Sequence, residues 1–190
     1  MAQRPNPIEI YEAVRAQLRP ILTAGAAQPN SSTTCSEWNV QALVNHAISV
    51  QQFAQDVLGP GTPDPTKMGD VNHAFPSEGV EAALVSITDQ VLATLKTMDF
   101  EAVVGTPFGD MPGGQFIMVP ITDMIVHTWD IAKSTGQNTT LDAGLCELGY
   151  NVLTNVAAGG RENGAFGPEI TVPGDASFQD KMLALSGRQP

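Results

Sequence analysis

Positive charge is scarce in this 190-residue chain: nine Lys and Arg stand against twenty Asp and Glu, for a formal net charge of -11. A nucleic-acid binder needs a cationic stripe to displace phosphate counterions, and none is present, so no nucleic-acid partner is expected. The same deficit argues against docking on anionic membrane surfaces. Long hydrophobic runs are missing too, because Pro120, Thr122 and Asp123 break the most apolar window. Residues 1–10 lack the basic start and apolar run of a secretion signal, which makes a cytoplasmic protein the expectation. Cysteine is limited to Cys35 and Cys146, far apart and without CxxC spacing. That excludes a disulfide framework and a cysteine zinc knuckle, and leaves two free thiols. Charged residues reach only 15%, but apolar residues make up 42%, and that balance excludes wholesale disorder.

The length suits one domain over residues 1–190, in which roughly 70% of the unfolded chain's surface is buried on folding. Its dominant pattern is helical. Ile8, Tyr11, Val14, Leu18, Ile21 and Leu22 recur at helical spacing and predict a first helix over 8–24. A small, polar loop follows, and Ser36 is expected to open a second helix. Along 38–58, Leu43, Ala47, Val50, Ala54 and Val57 form an apolar stripe opposite Asn45, Ser49, Gln52 and Asp56. The Pro- and Gly-rich run 59–65 ends that helix, and Ser77 offers a cap for the third, whose apolar positions are Val80, Leu84, Ile87, Val91 and Leu95. Residues 101–115 suit a short hairpin, and a fourth helix runs from about 116–122 to Gly136 with Pro120 in its opening turn. A fifth is expected over 143–158, stopped by Gly159 and Gly160, with a strand at 170–172 and a short helix at 177–185. These segments point to an all-α fold: an antiparallel four-helix bundle with a small β-hairpin and a short C-terminal extension.

The chemical lead lies inside the fourth helix. Asp123 and His127 are four residues apart, one turn of helix, so both leave the same face with Cβ atoms roughly 6 Å apart and can share one metal ion. His46 occupies a similar boundary on the second helix. If those helices are neighbours, His46, Asp123 and His127 form a His, Asp, His set for a divalent transition metal. Taken singly, each histidine reads more readily as a hydrogen-bonded structural residue, and Asp123 as a helix-dipole partner. Asp130, three residues past His127, is a candidate to orient its ring. Trp38 and Trp129 either wall the cleft or fill the core. Three helical turns, roughly 16 Å, separate Cys35 from His46, so Cys35 is expected in a loop or cap and not as a ligand. His73 is expected to face solvent from its Pro-rich loop.

At this point two signatures become recognisable. Cys35-Ser36-Glu37-Trp38-Asn39-Val40-Gln41-Ala42-Leu43-Val44-Asn45-His46 resembles the "C-x-x-W-x-V-x-x-L-x-x-H" helix of the actinobacterial mycothiol-dependent maleylpyruvate isomerase-like family, in the DinB superfamily. The stretch from Asp123 to Gln137 resembles its second signature, "D-x-x-x-H-x-W-D-L-A-x-A-T-G-Q", and the ending from Phe166 to Pro190 resembles the short members of that family. The resemblance implies a DinB-like bundle holding zinc or nickel through His46, Asp123 and His127. It also implies mycothiol, a low-molecular-weight thiol, as co-substrate. The expected function is a thiol-dependent transferase or isomerase acting on a small electrophile, in a monomer or homodimer. A non-catalytic metal- or ligand-binding bundle and a metal-dependent hydrolase are the alternatives.

Overall fold

The computed structural model describes residues 6–107 and 109–190. Its long helices are α1 (Pro7–Gly25), α2 (Val40–Leu58), α3 (Val80–Leu95), α5 (Met118–Ser134) and α6 (Ala143–Glu162), with a single turn α4 (Gly113–Phe116) before α5 and a short α7 (Phe178–Leu185) near the end. α1 packs on α3 and α5, and α2 packs on the same two, so α1, α3, α2 and α5 close a ring of four around one core. α6 covers the outside of α5, and α7 covers α6. The core is filled by the residues whose spacing predicted the helices, among them Tyr11, Val14, Leu18 and Leu22 of α1 and Leu84, Val91 and Leu95 of α3. No helix of the described residues is long and apolar enough to cross a membrane.

The hairpin expected over 101–115 is present as β1 (Val103–Val104) paired antiparallel with β2 (Met111–Pro112), Val104 opposite Met111. Pro120 sits in the first turn of α5, where its missing N–H costs no helical bond. Four local expectations need correction. α2 begins at Val40 and not at Ser36, because the Asn39 side chain accepts from the Ala42 amide and caps it there. α3 begins after Gly79 rather than Ser77, with no side-chain cap. α6 does not stop at Gly159 and Gly160 but runs on to Glu162, since Gly160 is small to admit the Phe166 ring against the helix. Residues 170–172 form no strand: the Ile170 amide donates to the Ala184 carbonyl of α7, and among the described residues no second strand lies beside the segment.

Candidate metal centre

The loop between α2 and α3 anchors the site from one side. It contains a 3-10 turn over Pro65–Met68, capped by the Asp64 side chain on the Thr66 amide. Asn45, placed on the polar face of α2 by its spacing, is instead only 2% exposed. Its amide donates to the Val71 carbonyl at 2.9 Å and the His73 carbonyl at 2.8 Å, which ties this loop down on α2. The next residue, His46, has Nδ1 2.8 Å from the Met68 carbonyl oxygen. A carbonyl only accepts, so His46 Nδ1 carries a proton, and Nε2 is the ring nitrogen left to face the cleft.

That nitrogen points at Asp123. His46 Nε2 lies 3.4 Å from Asp123 Oδ1, and His127 Nε2 lies 3.3 Å from the same oxygen. His127 is set in the same sense, with Nδ1 2.8 Å from Asp130 Oδ2. Asp123, His127 and Asp130 stand at i, i+4 and i+7 on one face of α5. The two imidazoles meet edge to face with centroids 5.1 Å apart, and the Trp38 ring covers His46 at 4.6 Å. Three buried or half-buried ligand atoms therefore converge, all within 4.8 Å of one another.

The donor set fits a divalent cation. Two imidazole nitrogens and a carboxylate are borderline ligands for first-row ions, and separations of 3.3 and 3.4 Å match the ~3.3 Å edge of a tetrahedron with ~2.0–2.1 Å bonds. Asp123 Oδ2 is buried without a hydrogen-bond partner. A second positive charge beside Asp123 is what that oxygen lacks. Without an ion, the proton on His127 takes that role. Burial alone would push the Asp123 carboxyl up, but the facing His127 and His46 rings hold it far below the usual carboxylate range. Burial likewise acts to lower His127, and the charge of Asp123 overrides it and raises the imidazole well above its ordinary value.

Asp130 has no exposure at all and is held by more than His127. Arg188 donates through Nε to Oδ1 at 3.3 Å and through Nη2 to Oδ2 at 3.0 Å, and the Thr34 hydroxyl also donates to Oδ1. Burial opposes ionisation here, yet the His127 and Arg188 contacts hold the carboxyl down at about 2. Cys35 Sγ lies 3.3 Å from Arg188 Nη2 and 3.8 Å from Asp130 Oδ2. The thiol sits within ligand distance of His127 and Asp130, but the guanidinium already supplies positive charge to this trio.

Cys35 does lie in a loop, as expected, but the 16 Å estimate assumed a helix that does not extend that far. The chain folds back before α2: Ser32 bridges to Asn39, and the Thr33 hydroxyl donates to the Trp38 carbonyl at 2.7 Å. Arg188 had no signal near the other site residues in sequence. Trp38 walls the cleft, whereas Trp129 is 2% exposed in the core with the Lys133 ammonium over its ring. His73 is exposed: its carbonyl accepts from Asn45 and Gln41, and its ring Nδ1 lies 2.9 Å from the Ala74 carbonyl oxygen.

Comparisons with known proteins agree with this architecture. Two uncharacterized proteins of Mycobacterium tuberculosis, Rv0738 and MT0763, are each 29% identical over 166 residues, covering 87% of this chain and 81% of theirs. The crystal structure of a mutant of mycothiol-dependent maleylpyruvate isomerase superposes with a TM-score of 0.70 at 14% identity, over 96% of this chain and 88% of that one. The shared fold is the DinB-like bundle that the signatures implied. The family model described as the mycothiol maleylpyruvate isomerase N-terminal domain matches residues 11–132, from α1 to the last turn of α5, and so spans Cys35, His46, Asp123, His127 and Asp130. The chain belongs to that family.

Proposed function

We propose that this protein is a metal- and thiol-dependent transferase or isomerase, in which His46, Asp123 and His127 hold one divalent ion, zinc or nickel, and mycothiol reacts with a small electrophile. The observation that carries this reading is the paired anchoring of the two imidazoles. Each Nδ1 is committed to a fixed acceptor, so both Nε2 atoms face Asp123 Oδ1. When bound, an ion in this position supplies Lewis acidity that brings a thiol into its nucleophilic, deprotonated form near neutral pH.

The chain's own groups do the rest. The Met68 carbonyl and the Asp130 carboxylate keep both rings in the tautomer that ligates, and Arg188 and Thr34 keep Asp130 ionised and aimed. Trp38 shields His46 from bulk water and lowers the local dielectric. The cleft beside Asp123 leaves an approach for a thiol and an electrophile together. A cytoplasmic location, where a reduced thiol pool persists, suits two free cysteines. A monomer or homodimer is the working oligomeric state.

The test is elemental mass spectrometry on untagged protein beside His46→Ala, with a cobalt-substituted sample titrated with thiol. One metal per chain, lost in the variant and spectrally shifted by thiol, is the expected result. Absence of metal in both proteins after reconstitution overturns the reading and favours a binding bundle. Metal with turnover that needs no thiol moves the assignment to a hydrolase.

A further inference from the structure

The cleft beside Asp123 has walls whose chemistry selects among electrophiles. It has a volume of about 2130 Å³, more than one small ligand requires. Three helices contribute apolar stripes to it: Val50 and Phe53 follow His46 along α2, Val119 and Val126 flank Asp123 on α5, and Val152 and Val156 face in from α6. Positive charge is nearly absent from the lining. The sequence has nine Lys and Arg, and Arg4 lies outside the described residues; of the other eight, only Arg188 lines the cleft. Its guanidinium is already bonded to both oxygens of Asp130, to the Ser186 carbonyl at 2.8 Å and to Cys35. Around the outer lining stand Glu9, Glu37, Asp142 and Glu147, all exposed.

A carboxylate substrate is normally fixed by a free guanidinium or ammonium, and a dianion here would meet exposed carboxylates instead. The remaining source of positive charge would be an ion held by His46, Asp123 and His127, which the function proposed above assigns to the thiol. We infer that the second substrate of this cleft is a small, uncharged, largely apolar electrophile and not a dicarboxylate. This rests on the function proposed above for the word electrophile, and on the lining alone for apolar and uncharged. With an enal of this kind, thiol addition forms an S–C bond at the β-carbon, breaks the C=C π bond and places the thiol proton on the α-carbon. No oxidant or reductant is needed.

The test is a binding titration on the metal-reconstituted full chain with N-phenyl-1-naphthylamine, a neutral apolar fluorophore. Saturable fluorescence that trans-2-octenal displaces and maleate does not is the expected result. Val119→Lys, a charge placed on a half-buried wall position, is expected to weaken the probe roughly tenfold and to confer displacement by maleate. Val156→Lys makes the same test from α6 should the first variant fail to fold. The inference is overturned if the probe does not bind, if maleate displaces it as well as octenal does, or if a folded lysine variant keeps the parental affinity. The readout is binding and not turnover, so a negative result here leaves the metal and thiol measurements standing, and their failure leaves the titration readable.

Discussion

The Asp130 carboxylate lies 2.8 Å from Nδ1 of His127, on the side of the ring away from Asp123. One imidazole therefore links two carboxylates, a half-buried one that faces the cleft and a fully buried one that faces the C-terminal segment. The first is placed to share an ion with His127. The second sets the ring's tautomer and is itself set by Arg188.

Asp130→Asn tests that second link. The amide keeps the shape but loses the charge, and outer partners of this type change metal affinity by roughly 10–100-fold. Affinity by chelator competition is expected to fall within that range while one metal per chain is still bound at saturation. Stability should change as well. The folded carboxyl is held at about 2. Against an unfolded value of ~3.9, the pairing contributes about 2–3 kcal/mol above ~pH 4, lost as pH falls toward the folded value. Denaturant unfolding between about pH 2 and 5 should show a shallower acid dependence in the variant.

Removal of the ligands themselves separates imidazole from carboxylate. His127→Ala is expected to lose the metal with its helical circular dichroism retained, because α5 is held in the core by Ile121, Met124, Ile125 and Ile131, all fully buried. Asp123→Asn should weaken binding less, since an amide oxygen is a poorer but usable ligand. Equal stoichiometric metal in His127→Ala and the parent would remove His127 from the ligand set.

The protonation of His127 gives opposite pH trends with and without metal. Its folded pKa is raised by Asp123, so in the metal-free chain it contributes stability that is complete below about pH 6.5 and is lost as pH rises through the higher folded value. Ligation needs the neutral ring, so binding releases about one proton and metal affinity climbs over the same window. Melting temperature of the metal-free protein should fall as pH rises above about 6.5 while metal affinity climbs, and His127→Gln should flatten the stability trend.

Local signals carried most of the helical architecture and the three candidate ligands. Stripes such as Val80, Leu84, Ile87 and Val91 are consequences of a 3.6-residue period, and the Asp123 and His127 pair is one turn of the same period. What escaped were features made by return of the chain. Cys35 reaches His127 because 31–39 folds back on itself before the Asn39 cap, so distance counted along a straight helix does not apply. Arg188 is 58 residues from Asp130, and no spacing rule connects them. Asn45 is buried because two carbonyls of the following loop need its amide, a demand that amphipathic patterning does not encode. The Gly159 and Gly160 pair carried the wrong meaning, since the glycine at 160 makes room for Phe166 inside a continuing helix.

The same return of the chain makes Gly187 a remote control on the site. Gly187 has φ +80°, a conformation that side chains with a Cβ rarely adopt, and a Cβ there would meet the Gly167 backbone at 2.8–3.0 Å. The neighbouring Arg188 depends on this turn to reach Asp130. Gly187→Ala is expected to cost roughly 1–3 kcal/mol of stability and to lower metal affinity in the direction of Asp130→Asn, although residue 187 is no ligand. Gly174→Ala is the control, with open space around its Cβ position. A Gly187→Ala protein with parental metal affinity would mean that Asp130 holds the His127 ring without help from Arg188.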